Sequence, residues 1–240
     1  LGASPKAVTA YKKLSRDLFR YPDGSALALR QAIAKTWKIG NPDNIVCGAG
    51  SDELINLLLK AYAGAGDEVL YSRYGFLMYP IGAKAVGATP VYAEEKNLRT
   101  DVRAMAAKVT KKTKIVFLAN PNNPTGSYLT KKEVAWLHRH LPPHVLLVID
   151  AAYAEFVDKK DYSAGDELVK KYGNVVVLRT FSKIYGMAAV RLGFAHCSPE
   201  VAAVLNRVRG PFNVSAPAQH AGIAALADTA FLKKSRAHNA

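Results

Sequence analysis

The sequence predicts an α/β protein with a mostly parallel central sheet sandwiched by helices. Short apolar runs alternate with helical segments along almost all of the 240 residues. Each run is continuously apolar, as strands are when helices cover both faces of their sheet. Polar stretches follow four of these runs, and parallel sheets bind ligands at the carboxyl ends of their strands. We therefore expect one ligand site at that edge of the sheet.

Hydrophobic periodicity and capping signals predict the helices. Leu29, Ile33 and Trp37 recur at intervals of four and mark one face of a helix. That helix covers residues 25–38. Residues 130–133 read Thr-Lys-Lys-Glu, a capping box that opens another helix. Beyond the first, the predicted helices cover residues 54–63, 76–86, 101–109 and 130–140.

Seven short apolar runs, most of them rich in β-branched residues, are the predicted strands. The run from Val145 to Ile149 is among the longest, and it is far too short to span a bilayer. The predicted strands cover residues 44–47, 68–71, 89–93, 114–119, 145–150, 174–179 and 193–196.

The composition is that of an ordinary globular protein with a basic excess. Lys and Arg number 33 against 19 Asp and Glu, which gives a formal net charge of +14. This excess would fit nucleic acid, but the cations are scattered in short pairs without a nucleic-acid-binding motif. We expect most of them to be solvated surface, with no nucleic-acid partner.

The cysteines and histidines indicate whether the protein forms disulfides or binds a metal. The two cysteines, Cys47 and Cys197, are too few for a disulfide framework, and we expect buried thiols. No pair of the six histidines shows metal-binding spacing with carboxylates nearby. No signal peptide is visible. These observations predict a cytoplasmic protein without a metal or a membrane partner.

Two of the polar stretches combine turn residues with hydrogen-bond donors. Residues 48–52, Gly-Ala-Gly-Ser-Asp, lead into a helix, where free N–H groups and the helix dipole suit a phosphate. The alternative is a plain glycine turn with a capping Ser or Asp. Residues 120–126 contain two prolines and a glycine, which predict a stiff turn. This turn either presents Asn123 as a donor or merely reverses the chain.

The other two stretches carry charge. Asp150 ends an apolar strand, so its carboxylate needs a cationic or strongly donating partner, unless it only caps the next turn. Ser182 and Lys183 lie just beyond the end of another strand, and Arg191 follows eight residues later. A lysine at the ligand-binding edge is a candidate Schiff-base residue, although a lone surface lysine is commoner. The order of the four stretches, each after its own strand, favours a shared site.

Taken together, these stretches resemble the fold-type I pyridoxal-phosphate aminotransferases, and the histidinol-phosphate aminotransferases most closely. The superfamily resemblance lies in Asn-Asn-Pro-Thr-Gly at 122–126, Asp-Ala-Ala-Tyr at 150–153 and Thr-Phe-Ser-Lys at 180–183. Arg-Tyr-Pro-Asp at 20–23 and residues 211–215 favour the histidinol-phosphate branch. The resemblance covers nearly the whole chain.

The resemblance implies that pyridoxal 5'-phosphate is the cofactor and gives roles to the site residues. Lys183 would bind the cofactor's aldehyde as a Schiff base and, once freed, move the proton at the substrate Cα. Asp150 would pair with the pyridine nitrogen and keep it protonated. Tyr153 and Asn123 would hydrogen-bond the phenolic oxygen, and Phe76 would stack on the ring.

A positively charged side chain and several hydrogen-bond donors would hold the cofactor phosphate. The resemblance assigns this role to Arg191, Ser182, Thr180 and the backbone N–H groups of Gly50, Ser51 and Asp52. Tyr21 would reach the phosphate bound by the neighbouring subunit. A homodimer with shared active sites is therefore implied.

The resemblance also implies a domain division. Residues 1–24 would form an N-terminal segment with the dimer-contacting tyrosine, and residues 25–213 the large cofactor domain. Residues 214–240 would begin the helix that leads to a C-terminal small domain, largely absent from this chain. The arginine that binds the substrate's α-carboxylate is expected beyond residue 240.

The implied reaction is transamination between L-histidinol phosphate and 2-oxoglutarate in histidine biosynthesis. The alternative within the same fold is an aromatic amino-acid aminotransferase or a phosphothreonine decarboxylase. A more remote alternative is a non-catalytic binding protein that retains the fold. The basic charge mildly favours a phosphorylated substrate.

Overall fold

A seven-stranded sheet forms the centre of the computed structural model, which describes residues 1–239. The strands in chain order are β1 (Ile45–Gly48), β2 (Glu68–Ser72), β3 (Thr89–Ala93), β4 (Glu95–Lys96), β5 (Arg99–Thr100), β6 (Thr113–Ala119), β7 (Leu146–Asp150), β8 (Val175–Thr180) and β9 (Gly193–His196). Strands β4 and β5 form a separate ribbon, and the central sheet has the order β1-β9-β8-β7-β6-β2-β3. Among the described strands of this sheet, only β9 runs antiparallel to its neighbours, so the predicted mostly parallel sheet is confirmed.

Helices cover both faces of the sheet. They are α1 (Pro5–Lys13), α2 (Leu27–Trp37), α3 (Ser51–Tyr62), α4 (Met78–Ala85), α5 (Val102–Ala107), α6 (Lys131–Arg139), α7 (Asp166–Val169), α8 (Pro199–Val208), α9 (Ala216–Leu226) and α10 (Thr229–Asn239). Helices α3, α4 and α8 pack on one face, and α5, α6 and α7 on the other. Helices α1, α2 and α9 extend this second layer over β1 and β9.

Alternation along the strands sends neighbouring side chains into two different cores. Ile115 and Phe117 of β6 belong to the core beneath α3 and α4. Val116 and Leu118 of the same strand belong to the core beneath α5 and α6. Both faces of the strand are therefore buried, which explains why the strands read as continuous apolar runs.

The predicted strands match the observed ones to within one residue at each end, and β3 and β9 match without a shift. The capping box of α6 is present, since Thr130 Oγ1 accepts from Glu133 N at 3.3 Å and Glu133 Oε2 accepts from Thr130 N at 2.8 Å. Helix α3 begins at Ser51, three residues earlier than predicted. The turn before it is made by Gly50 at a φ of +86°, so the polar residues that follow belong to the helix itself.

Residues 214–239 form two helices where one was expected. Asp228 separates them, and its carboxylate accepts from Phe231 N at 3.3 Å in the first turn of α10. The same carboxylate accepts from the hydroxyl of Ser4 at 2.7 Å. Because Ser4 caps α1, this contact joins the N-terminal segment to the junction of α9 and α10. Residue 240, the last of the predicted domain range, lies outside the described residues.

None of the helices in residues 1–239 is long and apolar enough to cross a membrane. These residues contain no group of three or more His, Cys, Asp or Glu side chains placed to hold a metal ion. Cys47 and Cys197 are buried free thiols, as the sequence predicts. Burial raises the pKa of both thiols to about 12 and keeps them protonated.

Candidate active site

A cavity of about 390 Å³ lies at the carboxyl ends of β6, β7 and β8, beside the first turn of α3. It is at the edge of the sheet that the sequence predicts for a ligand. Ten of the twelve predicted site residues line it: Ser51, Asp52, Phe76, Asn123, Asp150, Tyr153, Thr180, Ser182, Lys183 and Arg191. The other two, Gly50 and Tyr21, are not among the lining residues.

Asp150 is the buried carboxylate of the site. It ends β7 and is 6% exposed. Its Oδ2 accepts from the hydroxyl of Tyr79 at 2.9 Å, and its Oδ1 accepts from Ala152 N at 3.3 Å. Burial raises the pKa of Asp150, opposed in part by the Tyr79 hydrogen bond and the charge of Lys183. A carboxylate with only neutral donors gains from a cationic partner in the cavity.

Lys183 and Tyr153 face each other in the cavity. Lys183 Nζ lies 5.1 Å from the centroid of the Tyr153 ring, within the range of a cation–π contact. The loop that carries the lysine is fixed by backbone hydrogen bonds from Phe181 N to Leu192 O and from Gly186 N to Lys183 O, each 2.9 Å. The lysine side chain itself is exposed to the cavity, so its amine is accessible to a ligand.

The part of the cavity formed by Arg191 and the start of α3 suits an anion. Arg191 Nη1 donates to Ser182 Oγ at 3.4 Å, and Arg191 Nη2 donates to Ala49 O at 3.4 Å. The guanidinium thus lies beside the start of α3, whose first backbone N–H groups have no partner within the helix. A Cβ on Gly50 would collide with the Arg191 guanidinium. Glycine at this position therefore keeps the cation close to the helix start.

The segments that carry Asn123 and Phe76 are joined to each other. Asn122 Nδ2 donates to Tyr74 O at 3.2 Å, which connects the loop after β6 to the turn before α4. Within the loop, Asn120 exchanges two hydrogen bonds with Leu129, at 2.8 and 3.1 Å. Asparagine side chains thus stiffen this loop in addition to the two prolines that the sequence prediction rests on.

Sequence reasoning missed Tyr79, whose hydroxyl is the side-chain partner of Asp150. Tyr79 is 1% exposed and stacks on Phe117 with 4.6 Å between ring centroids. The signal that could have found it is the predicted need of Asp150 for a donor. Tyr21, by contrast, is 82% exposed and stacks on Phe212 with ring centroids 4.7 Å apart. It lies outside the cavity of its own chain.

The fold and the cavity define a class of protein: three-layer α/β proteins whose ligand site combines a lysine, a buried carboxylate and an anion cradle. Comparison with known proteins gives the family. A family model described as aminotransferase class I and II matches residues 2–239. The chain belongs to this family.

Individual relatives are similar over the whole chain. A histidinol-phosphate aminotransferase of Rhodospirillum centenum is 56% identical, and one of Paramagnetospirillum magneticum is 57% identical, each over 239 residues. In both cases 100% of this chain is matched, and the chain spans 66% of the relative's length.

A solved structure supports the fold. The crystal structure of histidinol-phosphate aminotransferase from Sinorhizobium meliloti, in complex with pyridoxal-5'-phosphate, superposes with a TM-score of 0.94 at 32% identity. The match covers 98% of this chain and 64% of the other.

Proposed function

We propose that the protein is a pyridoxal-phosphate-dependent aminotransferase that transfers an amino group between L-histidinol phosphate and 2-oxoglutarate. The observation that carries the proposal is the single cavity in which Lys183, Asp150 and Arg191 meet at the strand ends. Each supplies a different chemical function: a nucleophilic amine, a buried carboxylate and a fixed cation. The family assignment supports the reaction class.

The residues present fit pyridoxal 5'-phosphate at both ends. The space that Gly50 leaves open beside Arg191 forms a cradle of backbone N–H groups, a guanidinium and the hydroxyls of Ser182 and Thr180. Such a cradle suits a phosphate. At the other end, Asp150 offers a carboxylate to the ring nitrogen. When bound, the cofactor supplies an aldehyde for an amine and a ring that accepts electrons.

The chain's own residues then hold and move protons. Asp150 would keep a proton on the ring nitrogen, because a buried carboxylate gains from a charged donor. Lys183 Nζ, once a substrate amine has displaced it, would carry the proton between the substrate Cα and the cofactor's C4′. Tyr153 and Asn123 would hold the phenolic oxygen, and Phe76 would cover a face of the ring. All five side chains line the one cavity.

The substrate proposal rests on similarity. Identities of 56 and 57% over the full chain, to relatives named histidinol-phosphate aminotransferase, favour L-histidinol phosphate as amino donor. The formal charge of +14 is compatible with a phosphorylated substrate. We further propose 2-oxoglutarate as the amino acceptor, a cytoplasmic location and a homodimer in which the exposed Tyr21 reaches the partner's phosphate site.

The test uses the complete protein with cofactor added. We expect a visible absorption band that borohydride bleaches and that Lys183→Ala lacks, because Nζ is the attachment atom. Lys111→Ala is the control, since Lys111 is exposed in the turn before β6, at the opposite edge of the sheet. The band must survive in this control.

Kinetics and mass test the finer assignments on the same preparation. The value of kcat/KM for histidinol phosphate should exceed that for phenylalanine by a large factor, because the relatives act, by their names, on the phosphorylated substrate. The reverse preference would favour the aromatic aminotransferase. A band without turnover would favour the non-catalytic alternative, and sedimentation as a monomer would contradict the shared site.

A further inference from the structure

Arg179 joins the two strand-end segments that carry Tyr153 and Lys183. It lies in β8, shortly before Lys183, and Glu155 lies shortly after Tyr153. Arg179 Nη1 donates to Glu155 Oε1 at 2.7 Å, and the two residues are 6% and 7% exposed. We propose that this buried ion pair is a positioning device that fixes Lys183 against Tyr153. The proposal rests on the function proposed above.

Backbone pairing between β7 and β8 stops short of both functional side chains. Its last hydrogen bond runs from Ala151 N to Leu178 O at 2.9 Å. Across the described chain, no backbone hydrogen bond joins residues 152–156 to residues 180–183. The Arg179–Glu155 ion pair therefore connects the two segments beyond the end of the ladder, four residues before Lys183 and two residues after Tyr153 in the sequence.

Both partners of the ion pair are held from outside. Arg179 Nη2 donates to Asp166 Oδ2 at 2.8 Å, and the Trp37 ring covers the guanidinium with its centroid 5.4 Å away. Arg236 Nε donates to the backbone carbonyl of Glu155 at 2.6 Å. A planar guanidinium fixed along two edges and one face has little freedom to move. The segment that carries Glu155 is consequently fixed relative to β8.

Stability alone is a poor explanation for this arrangement. Desolvation of two buried charges offsets much of their attraction, so apolar side chains of similar volume stabilise a core as well or better. Arg179 Nε is in addition buried without a hydrogen-bond partner. The ion pair instead fixes the relative orientation of the two segments, since charge-assisted hydrogen bonds from a guanidinium are short and geometrically specific. This orientation matters because the two segments carry the reacting amine and its aromatic neighbour.

The test is Glu155→Gln in the complete protein loaded with pyridoxal 5'-phosphate. This change removes the charge, keeps the shape of the side chain and retains the carbonyl that binds Arg236. We expect kcat to fall about tenfold while KM stays near the wild-type value, because the reacting groups are misplaced. We also expect a shift in the pH at which the visible absorption of the cofactor changes, because the distance between Lys183 Nζ and the Tyr153 ring is no longer fixed.

Asp166→Asn is the matched control. It removes a carboxylate charge from the same guanidinium, but Asp166 begins α7 and its segment carries no residue of the cavity. We expect this variant to unfold at lower urea concentration and to shift the absorption pH much less than Glu155→Gln does, because the link from Arg179 to the Tyr153 segment remains intact. If Glu155→Gln does not fold, Glu155→Asp replaces it, because the side chain shorter by one methylene keeps the charge but loses the reach.

Two outcomes would overturn the proposal. Equal shifts of the absorption pH in the Glu155 and Asp166 variants would mean that the charge of the cluster, and not the link between segments, affects the site. Wild-type kcat and wild-type absorption in the Glu155 variant would mean that the link has no influence. A wild-type protein without a borohydride-sensitive band would instead contradict the proposed function, so the two failures are distinguishable.

Discussion

Asp150 is a buried carboxylate and Asp166 a partly buried one, and the partners of the two differ in charge. Asp150 accepts from the Tyr79 hydroxyl at 2.9 Å and from a backbone N–H at 3.3 Å, both neutral donors. Asp166 accepts from His196 Nδ1 at 2.7 Å and from the charged Arg179 at 2.8 Å. The first carboxylate faces the cavity, and the second lies in a closed ion-pair cluster.

The pKa values follow these partners. Burial raises the pKa of Asp150, and the Tyr79 hydrogen bond opposes the rise only in part. Burial acts on Asp166 in the same direction, but the His196 hydrogen bond and the charge of Arg179 outweigh it and hold its pKa at about 2. Side chains of the protein thus stabilise the charge of Asp166. The charge of Asp150 would be stabilised further by a cationic group of a ligand.

The largest expected effect comes from Asp150→Asn. The amide keeps the shape and the hydrogen bond with Tyr79, but it cannot hold a proton on the ring nitrogen. We expect kcat in the complete protein to fall by about 10³-fold, while the borohydride-sensitive band persists because Lys183 is unchanged. Steady-state kinetics and the absorption spectrum of the same preparation measure the two parts.

The corresponding variant of the other carboxylate is the control. Asp166→Asn removes a charge of the same type without touching the cavity, so its kcat should fall far less than that of Asp150→Asn. Loss of activity of similar size in both variants would abolish the distinction between a carboxylate that serves the ligand and one that serves the fold.

The location of the site was predictable from the sequence, because parallel strands end at one edge of their sheet. Asp150 ends one recognisable apolar run and Lys183 lies three residues beyond the strand formed by another, so their meeting in one cavity required no further knowledge. The partners of these residues were not predictable. Tyr79 lies 71 residues before Asp150, in a segment where an apolar helix explains a tyrosine equally well. Its role depends on a contact that only the folded chain creates.

Strand direction is another property that the sequence did not reveal. An apolar run reads alike in both directions, so β9 was recognised without its antiparallel orientation. Between β8 and β9, residues 181–192 contain only a short 3₁₀ turn at Ala188–Val190. A parallel neighbour requires a crossover of a dozen or more residues, usually with a helix. This connection contains no crossover helix, and the chain returns antiparallel with Arg191 beside the start of α3.

A smaller effect is expected for the stability contribution of Asp166. Its folded pKa of about 2 lies below the reference value of 3.8, so the ionised carboxylate stabilises the folded state above about pH 4. This contribution is lost as the pH falls towards the folded pKa. We expect Asp166→Asn to lower the free energy of unfolding at pH 7 by about 2 kcal/mol. Urea unfolding at several pH values measures the difference.

The pH dependence separates the charge from mere packing. The difference between wild type and Asp166→Asn should shrink between pH 4 and pH 2, as the wild-type carboxylate takes up its proton. A difference that stays constant over this range would show that the charge of Asp166 does not stabilise the fold. Asp158→Asn, which changes a carboxylate whose side chain is 91% exposed, should unfold like the wild type throughout.

The smallest effect is expected for Tyr79→Phe. This variant tests how much the hydrogen bond from Tyr79 contributes to the ionised state of Asp150. Loss of the hydroxyl removes one hydrogen bond to the ionised carboxylate, and the pKa of Asp150 should rise further. We expect kcat/KM to fall about fivefold, equivalent to about 1 kcal/mol, with the acidic limb of its pH profile moved to higher pH. Tyr62→Phe, on α3 and outside the cavity lining, should leave the profile unchanged. An unmoved acidic limb in Tyr79→Phe would mean that Asp150 depends on its surroundings for burial alone.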